Sequence, residues 1–218
     1  MIGGVDEAGR GPVIGPLVIA IVTVKETNII ENLSIKDSKL CTPNQREQFK
    51  TQIQKVADQT EVLAISAADI DTMRKSMTLN QLEVYGFSKL ISQTKPSICY
   101  VDSADVNAPR FADDIQKQLN YQPKIISRHK ADTLYPIVSA ASIIAKTTRD
   151  EMVSIIEKEL RKTLDMPLGS GYPADPITQK FLKTWLHENH SLPPHTRLSW
   201  KTSQNLIKQS KIKSLDKF

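Results

Sequence analysis

Short apolar runs alternate along the chain with longer stretches in which apolar residues recur every three or four positions. Two apolar runs near the start, "MIGGVD" and "PLVIAIVTV", predict β-strands. The second run is apolar on both faces, which is typical of a central strand in a sheet. Three further strands are predicted at "EVLAISAADI", "SICYVD" and "KIISRHK". The chain therefore begins with successive strands and continues with strands separated by helices.

Helical periodicity and helix-start signals mark the segments between these strands. A helix is predicted from Pro43 with Thr42 as its N-cap, and another over "TLNQLEVYGFSKLISQT", before Pro96. A loop and then a short helix are predicted over "SADVNAPRFADDIQKQL". The longest helix has Pro136 in its first turn, and two more follow around "TQKFLKTWLHEN" and "SWKTSQNLIKQ". This order predicts an α/β fold, in which a mixed β-sheet is flanked by helices and followed by a small helical C-terminal cap.

Composition and charge set broad limits on the number of domains and on the kind of partner. A chain of 218 residues that is 39% hydrophobic suits a large domain with an appendage. We predict a main domain over 1–165, a helical cap over 166–209 and a flexible tail over 210–218. The net charge of +5 permits an anionic partner such as nucleic acid without requiring one.

Cysteine use and the apolar runs indicate the compartment. Cys41 and Cys99 have neither zinc spacing nor a disulfide framework, which favours a reducing environment. The longest apolar stretch is interrupted by Gly15 and Pro16 and is too short to span a bilayer. We therefore expect a soluble, cytoplasmic protein with no membrane association.

Acidic residues follow three of the predicted strands. Asp6 and Glu7 end the first strand, Asp102 ends "ICYV", and Asp132 follows "IISRHKA". Sites on open sheets form at such strand ends, and carboxylates that converge there repel unless their pKa values rise or hard cations bind. A pair of Mg²⁺ or Mn²⁺ ions about 3.5–4 Å apart is a common device for phosphodiester hydrolysis. The alternative for single acids is structural: an N-cap at Asp132 or an Asx turn at Asp102.

The acidic pair is followed by a glycine-flanked arginine. Neighbouring strand residues point to opposite faces, so Asp6 and Glu7 can share a site only if the strand ends there. Gly9 and Gly11 predict that end, and with Arg10 they offer backbone N–H groups and a guanidinium to an anion. A simple tight turn between strands is the alternative.

Two other groups of polar residues are weaker candidates for substrate contacts. Ser38 and Lys39 lie in a polar loop and offer a hydroxyl and an ammonium group. On the long helix, Ser139, Ser142, Lys146 and Arg149 recur at helical spacing and form one polar stripe. If the helix is continuous from Asp132, Lys146 lies about 20 Å away along the axis at about 1.5 Å per residue. We therefore expect Lys146 to lie outside the metal site.

Taken together, these segments resemble ribonuclease HII. The matching blocks occur in the same order as in that family: "GVDEAGRGPVIGPLV", "KDSKL", "YVDSADV", "HKADTLYPIVSAASIIAKTTRD" and "GSGYPADP". The resemblance runs from Ile2 to about Trp200, and "RLSWKT" is similar to archaeal members and to the eukaryotic catalytic subunit. Asp132 argues against the related ribonuclease HIII, where a glutamate is expected.

The resemblance implies a ribonuclease H-like fold and a two-metal endonuclease that uses Mg²⁺ or Mn²⁺. Its catalytic and metal-binding acids correspond to Asp6, Glu7, Asp102 and Asp132. The residues expected to contact the substrate are Gly9, Arg10 and Gly11 at the ribose 2′-hydroxyl, Tyr172 stacked near the sugar, and Ser38, Lys39, Lys146 and Arg149 as further contacts.

The implied reaction is cleavage of the RNA strand of RNA–DNA hybrids, and on the 5′ side of single ribonucleotides in duplex DNA. The products would carry 3′-hydroxyl and 5′-phosphate ends, and the enzyme is expected to be a monomer. Two alternatives stay open: another ribonuclease H-like nuclease, such as a junction resolvase, and a non-catalytic nucleic-acid-binding module.

The tail "IKSLDKF" partly resembles the peptide by which some relatives bind the sliding clamp. Ser214, Leu215, Asp216 and Phe218 fit that peptide, whereas Ile212 stands where glutamine is expected. A solvated, disordered end is the alternative.

Overall fold

The computed structural model of the protein describes residues 1–33, 35 and 42–215, without the side chains of 43 and 211–215. The predicted substrate residues Ser38 and Lys39 therefore lie outside the described residues, as does Phe218. The chain folds into two compact units. The first consists of 1–8, 18–64 and 77–149, and the second of 9–17, 65–76 and 150–218.

The strands are β1 (Ile2–Ala8), β2 (Leu17–Val24), β3 (Gln59–Ile65), β4 (Ile98–Asp102) and β5 (Lys124–Arg128). They form a five-stranded mixed sheet in the order β3-β2-β1-β4-β5. β1 pairs antiparallel with β2 and parallel with β4, and β4 pairs parallel with β5. Every residue of β2 is buried, as predicted for a strand that is apolar on both faces.

The helices are α1 (Asn28–Glu31), α2 (Pro43–Val56), α3 (Ala67–Met73), α4 (Leu79–Thr94), α5 (Ala108–Lys117), α6 (Ala131–Leu134), α7 (Pro136–Leu160), α8 (Pro176–Asn189) and α9 (Lys201–Leu215). They follow the predicted order, with α1, α3 and α6 as additional short helices. Thr42 caps α2 and Thr78 caps α4, each in a capping box with the glutamine three residues later. No helix in the described ranges is long and apolar enough to cross a bilayer.

The strand predicted to run through "EVLAISAADI" is wrong in its second half. β3 ends at Ile65, and Ser66 begins α3 by accepting a hydrogen bond from the Asp69 backbone N–H at 3.1 Å. A serine followed three residues later by an acid is a helix-start signal, and it overrides the alternation of apolar residues that continues past it.

Gly4 allows helix α7 to lie directly on β1 in the first unit. A Cβ at Gly4 would collide with the backbone carbonyl of Ile137 and would lie 2.7 Å from the backbone nitrogen of Val138. Only a residue without a side chain permits this approach. The close packing brings the polar stripe of α7 within reach of the end of β1.

The second unit has its own apolar core. Residues from 9–17, the end of α7, α8 and α9 contribute to it: Val13, Ile14, Ile156, Leu160, Leu164, Leu168, Phe181, Leu182, Trp185, Leu186 and Leu206. The last segment of this unit begins at Asp150, whereas the cap was predicted to begin at residue 166. Helix α9 continues to Leu215, into the segment predicted to be a flexible tail.

Candidate active site

Two acids of the first unit lie at equivalent positions of neighbouring parallel strands, where the pairing between β1 and β4 ends. Val5 of β1 lies opposite Val101 of β4, so Asp6 and Asp102 follow at equivalent positions. Neighbouring strands are about 4.8 Å apart, and side chains at equivalent positions point to the same face. The structure thus brings Asp6 and Asp102 together at the carboxyl edge of the sheet.

Asp6 is a buried carboxyl group, 5% exposed, with several polar neighbours. Burial and the negative charge of Asp102 raise its pKa to about 7, although three groups act in the opposite direction. The Ser142 hydroxyl and the Glu7 backbone N–H donate hydrogen bonds to Asp6, the latter at 2.7 Å, and Lys146 contributes a positive charge. Without a further positive charge, the Asp6 carboxyl group is therefore mostly protonated only at pH values below about 7.

Asp102 links the end of β4 to the segment that carries Asp132. The Ala131 backbone N–H donates a hydrogen bond to Asp102 Oδ1 at 2.8 Å. Asp132, the next residue, is buried in the first turn of α6, whose N-cap position is taken by Lys130. The alternative interpretation of Asp132 as an N-cap is therefore wrong.

Glu7 differs from Asp6 in its place on the strand. β1 pairs with β2 through Ala8, so alternation directs Asp6 and Glu7 to opposite faces. The strand does end at the predicted glycine, since Gly9 has a φ of 87°. In the described part of the chain, no three His, Cys, Asp or Glu side chains form a ready-made metal-binding cluster.

Lys146 interacts with the acidic site, which was not expected from the sequence. It was expected to lie outside the metal site, yet its charge acts on the Asp6 carboxyl group. The axial measure from Asp132 does not apply because α6 ends at Leu134, and Tyr135 separates it from α7 with an extended backbone. Arg149, farther along the same polar stripe, is a buried residue.

Asp105 is a buried acid that was not predicted from the sequence. It accepts hydrogen bonds from the Arg110 guanidinium at 2.5 Å, the Asn107 backbone N–H at 2.8 Å and the Asn80 side chain at 3.0 Å. The Asn107 N–H and then Arg110 lower the pKa of Asp105. The hydrogen bond from the backbone N–H two residues on makes this an Asx turn, for which an aspartate in a predicted loop is the only signal in the sequence. Asp105 thus holds the loop that follows Asp102.

In the second unit, the Gly9-Arg10-Gly11 segment forms a turn whose carbonyl oxygens are bound by a buried arginine. Arg197 is fully buried and donates hydrogen bonds to the carbonyl oxygens of Gly9 and Arg10 at 2.6 and 3.0 Å. Arg197 is the first residue of "RLSWKT", and no role was predicted for it from the sequence. The turn itself presents Gly11 at the surface.

Tyr172 lies beside this turn within the second unit. Its ring packs so closely that a Cβ at Gly11 would lie 3.4 Å from Tyr172 Cε1. The Val13 backbone N–H donates to the Gly171 carbonyl at 2.8 Å, which ties the tyrosine loop to the turn. Tyr172 remains 43% exposed. A half-exposed aromatic ring beside exposed backbone is available to stack on a sugar or base.

Comparisons with known proteins identify the family. The family model described as Ribonuclease HII matches residues 3–203. A ribonuclease HII from Pyrococcus furiosus is 45% identical over 225 residues, covering 100% of this chain and 97% of its own.

Solved structures agree with this match. The crystal structure of the ribonuclease H2 from Pyrococcus horikoshii OT3 has a TM-score of 0.88 and 39% identity, covering 96% of this chain and 98% of that chain. The structure of the PCNA:RNase HII complex from Archaeoglobus fulgidus has a TM-score of 0.86 and 36% identity, covering 94% and 96%. The predicted fold class and family are confirmed. The chain belongs to the ribonuclease HII family and is an endoribonuclease that hydrolyses the RNA of RNA–DNA hybrids.

Proposed function

We propose that the enzyme cuts on the 5′ side of a ribonucleotide, both in RNA–DNA hybrids and at single ribonucleotides in duplex DNA. The products would carry 3′-hydroxyl and 5′-phosphate ends. The observation that carries this proposal is the pair formed by Asp6 and Asp102, whose negative charges oppose each other at the ends of adjacent parallel strands.

The chemistry of this pair fits a divalent cation. Two repelling carboxylates, one of them buried, are stabilised by a hard cation with oxygen ligands. Mg²⁺ commonly uses one or two protein carboxylates and completes its coordination with water and substrate phosphate. Asp6 and Asp102 would hold Mg²⁺ or Mn²⁺, with Asp132 as a further ligand. Glu7, which alternation directs to the opposite face, would join them only by reaching around the end of β1. When bound, two such ions supply an activated water and stabilise the charge on the phosphate.

The surrounding residues orient these carboxylates before substrate arrives. Ser142 and the Glu7 N–H donate to Asp6, and the Ala131 N–H fixes Asp102. Fixed donors restrict each carboxylate to one orientation, so less reorganisation is required when the phosphate binds. Lys146 offsets part of the negative charge that would otherwise repel a nucleic-acid backbone.

Substrate recognition is assigned to the turn and to the tyrosine loop. Gly9, Arg10 and Gly11 would contact the ribose and its phosphate, since the 2′-hydroxyl is what distinguishes RNA from DNA. Tyr172 would stack near the sugar. Ser38, Lys39 and Arg149 remain proposed further contacts, with Lys146 as a contact to the phosphate backbone. Such contacts read the backbone, so binding should depend on salt and tolerate any sequence.

A duplex with one central ribonucleotide tests this function. With Mg²⁺ or Mn²⁺, we expect one cut on the 5′ side of the ribonucleotide, with 3′-hydroxyl ends that a polymerase can extend. The identical all-DNA duplex is the control and should remain intact, and EDTA should abolish cleavage. A cut on the 3′ side, or faster cleavage of a branched DNA junction, would contradict the proposal and favour a resolvase.

A sliding clamp is a second proposed partner, supported by the PCNA complex of the Archaeoglobus fulgidus relative. The tail residues Ser214, Leu215 and Phe218 would make this contact. We expect Leu215→Ala and Phe218→Ala to weaken binding to the sliding clamp of the source organism in calorimetry, with hydrolysis of a free hybrid unchanged. Lys217→Ala is the matched control. Equal affinity for all three variants and the wild type would exclude the tail as the binding segment.

A further inference from the structure

We propose that Arg197 is a positioning residue that aims two backbone N–H groups of the Gly9-Arg10-Gly11 turn at the ribonucleotide. The inference rests on the proposed role of that turn in substrate recognition. Arg197 would not touch the substrate itself. It would act by fixing the peptide planes that do.

The guanidinium of Arg197 binds three carbonyl oxygens of one short segment. Nη2 donates to Gly9 at 2.6 Å, Nη1 to Arg10 at 3.0 Å and Nε to Gly15 at 3.0 Å. Arg197 is fully buried, so these hydrogen bonds are shielded from competing water. A planar fork with several donors can satisfy three carbonyls at once, which a single ammonium group cannot do in the same geometry.

Because of peptide geometry, these hydrogen bonds also set the direction of the N–H groups in the turn. The peptide bonds of the described residues are trans, so the C=O and N–H of one peptide unit point in opposite directions. When the carbonyls of Gly9 and Arg10 point at Arg197, the N–H groups of Arg10 and Gly11 point away from it. Gly11 is an exposed residue, which agrees with an N–H that faces the surface. Successive N–H groups aimed the same way form an anion- or hydroxyl-binding concavity.

The next peptide unit is fixed in a related manner. Trp200 Nε1 donates to the Gly11 carbonyl at 3.3 Å, and the Arg197 guanidinium lies 4.7 Å from the centre of the Trp200 ring. The N–H that would face outward here is absent, because the following residue is Pro12. The outward-facing donors of the turn are therefore the N–H groups of Arg10 and Gly11. Two such donors can bind one hydroxyl or phosphate oxygen.

The segment that carries Arg197 is itself anchored inside the second unit. Asp71 accepts hydrogen bonds from the backbone N–H groups of Leu198 and Ser199 at 2.7 and 2.9 Å. Ser203 donates to the Arg197 carbonyl at 2.7 Å. Two kinds of variant can therefore be separated: those that disturb the guanidinium and those that disturb only its backbone.

The test measures preference for ribose rather than activity alone. Affinities for a duplex with one ribonucleotide and for the same all-DNA duplex are measured with Ca²⁺ in place of Mg²⁺, with a gel to confirm that the duplex stays intact. We expect Arg197→Lys and Arg197→Gln to lose about tenfold of this preference, since hydrogen bonds to the ribose are misdirected. Affinity for the all-DNA duplex should change by less than about threefold, because phosphate contacts dominate it.

Ser203→Ala is the matched control. It should lower the melting temperature without changing the preference, because the guanidinium keeps its three carbonyls. Folded Arg197 variants that retain the wild-type preference would overturn the inference, as would an equal loss of affinity for both duplexes. If neither Arg197 variant folds, Trp200→Phe decides: it should reduce the preference, and an unchanged preference overturns the inference. A wild-type enzyme with no preference for ribose would instead refute the proposed function of the turn.

Discussion

Asp102→Asn is expected to lower kcat/KM on an RNA–DNA hybrid with Mg²⁺ by at least about 10³-fold. This loss corresponds to about 4 kcal/mol of transition-state stabilisation, at about 1.36 kcal/mol per tenfold. The substitution removes the charge that faces Asp6 across the parallel strands. The Asn side-chain oxygen can still accept the hydrogen bond from the Ala131 N–H, so the link from β4 to α6 should persist.

The measurement is steady-state hydrolysis together with a thermal melt, and Asp105 supplies the matched control. Asp105→Asn changes the same kind of residue three positions later, in a network with Arg110, Asn107 and Asn80. We expect this control to melt at a lower temperature and yet to keep its activity per folded molecule within a fewfold. Near-normal activity of a folded Asp102→Asn enzyme would contradict the assignment of Asp102 to the catalytic site.

The pairing of acids at the sheet edge could be predicted because strand ends are visible in the sequence. Two apolar runs end on Asp6 and Asp102, and parallel neighbours bring their carboxyl ends to one edge. The apolar runs that predict the strands and the acids that predict the site therefore lie side by side in the sequence. The N-cap at Thr42 was predicted for the same reason, since donor and acceptor are three residues apart. The capping box at Thr78 has the same spacing but was not predicted.

The action of Lys146 on Asp6 could not be predicted, because it depends on how one element packs on another. Gly4 sets the approach of α7 to β1, and the sequence shows the glycine but not its partner. The break at Tyr135 was signalled by Pro136, where the long helix was predicted to start. The distance of about 20 Å between Asp132 and Lys146 was nevertheless measured as if one continuous helix ran on from Asp132. These two residues belong to separate helices, so that estimate does not hold.

Arg197 illustrates a second limit of the sequence. Its carbonyl partners at Gly9, Arg10 and Gly15 precede it by more than 180 residues, and backbone carbonyls leave no mark on residue type. An arginine in "RLSWKT" suggests a surface cation, because arginine is rarely fully buried unless it is paired. Only the structure reveals that its partners are main-chain atoms of the turn.

Asp6→Asn should stabilise the metal-free enzyme at alkaline pH while abolishing hydrolysis. In the wild type, burial and Asp102 raise the Asp6 pKa from its ordinary value of 3.8 to about 7. The folded state thus binds a proton more tightly than the unfolded state, and stability falls as pH rises from about 4 to about 7. Asparagine carries no charge and can still accept from Ser142 and the Glu7 N–H. The gain is at most about 4 kcal/mol, at about 1.36 kcal/mol per pKa unit.

Thermal melts in EDTA across this pH range measure the effect. The variant should melt higher than the wild type at pH about 8, by about 2 to 4 °C for each kcal/mol gained, and the difference should vanish near pH 4. Asp165→Asn, at an exposed position, is the control and should show no such pH dependence. Added Mg²⁺ should raise the melting temperature of the wild type more than that of the variant, since Asp6 is a proposed ligand. A variant that melts lower than the wild type at pH about 8 would show that the Asp6 carboxylate stabilises the metal-free fold, and the electrostatic account of this pair would then be wrong.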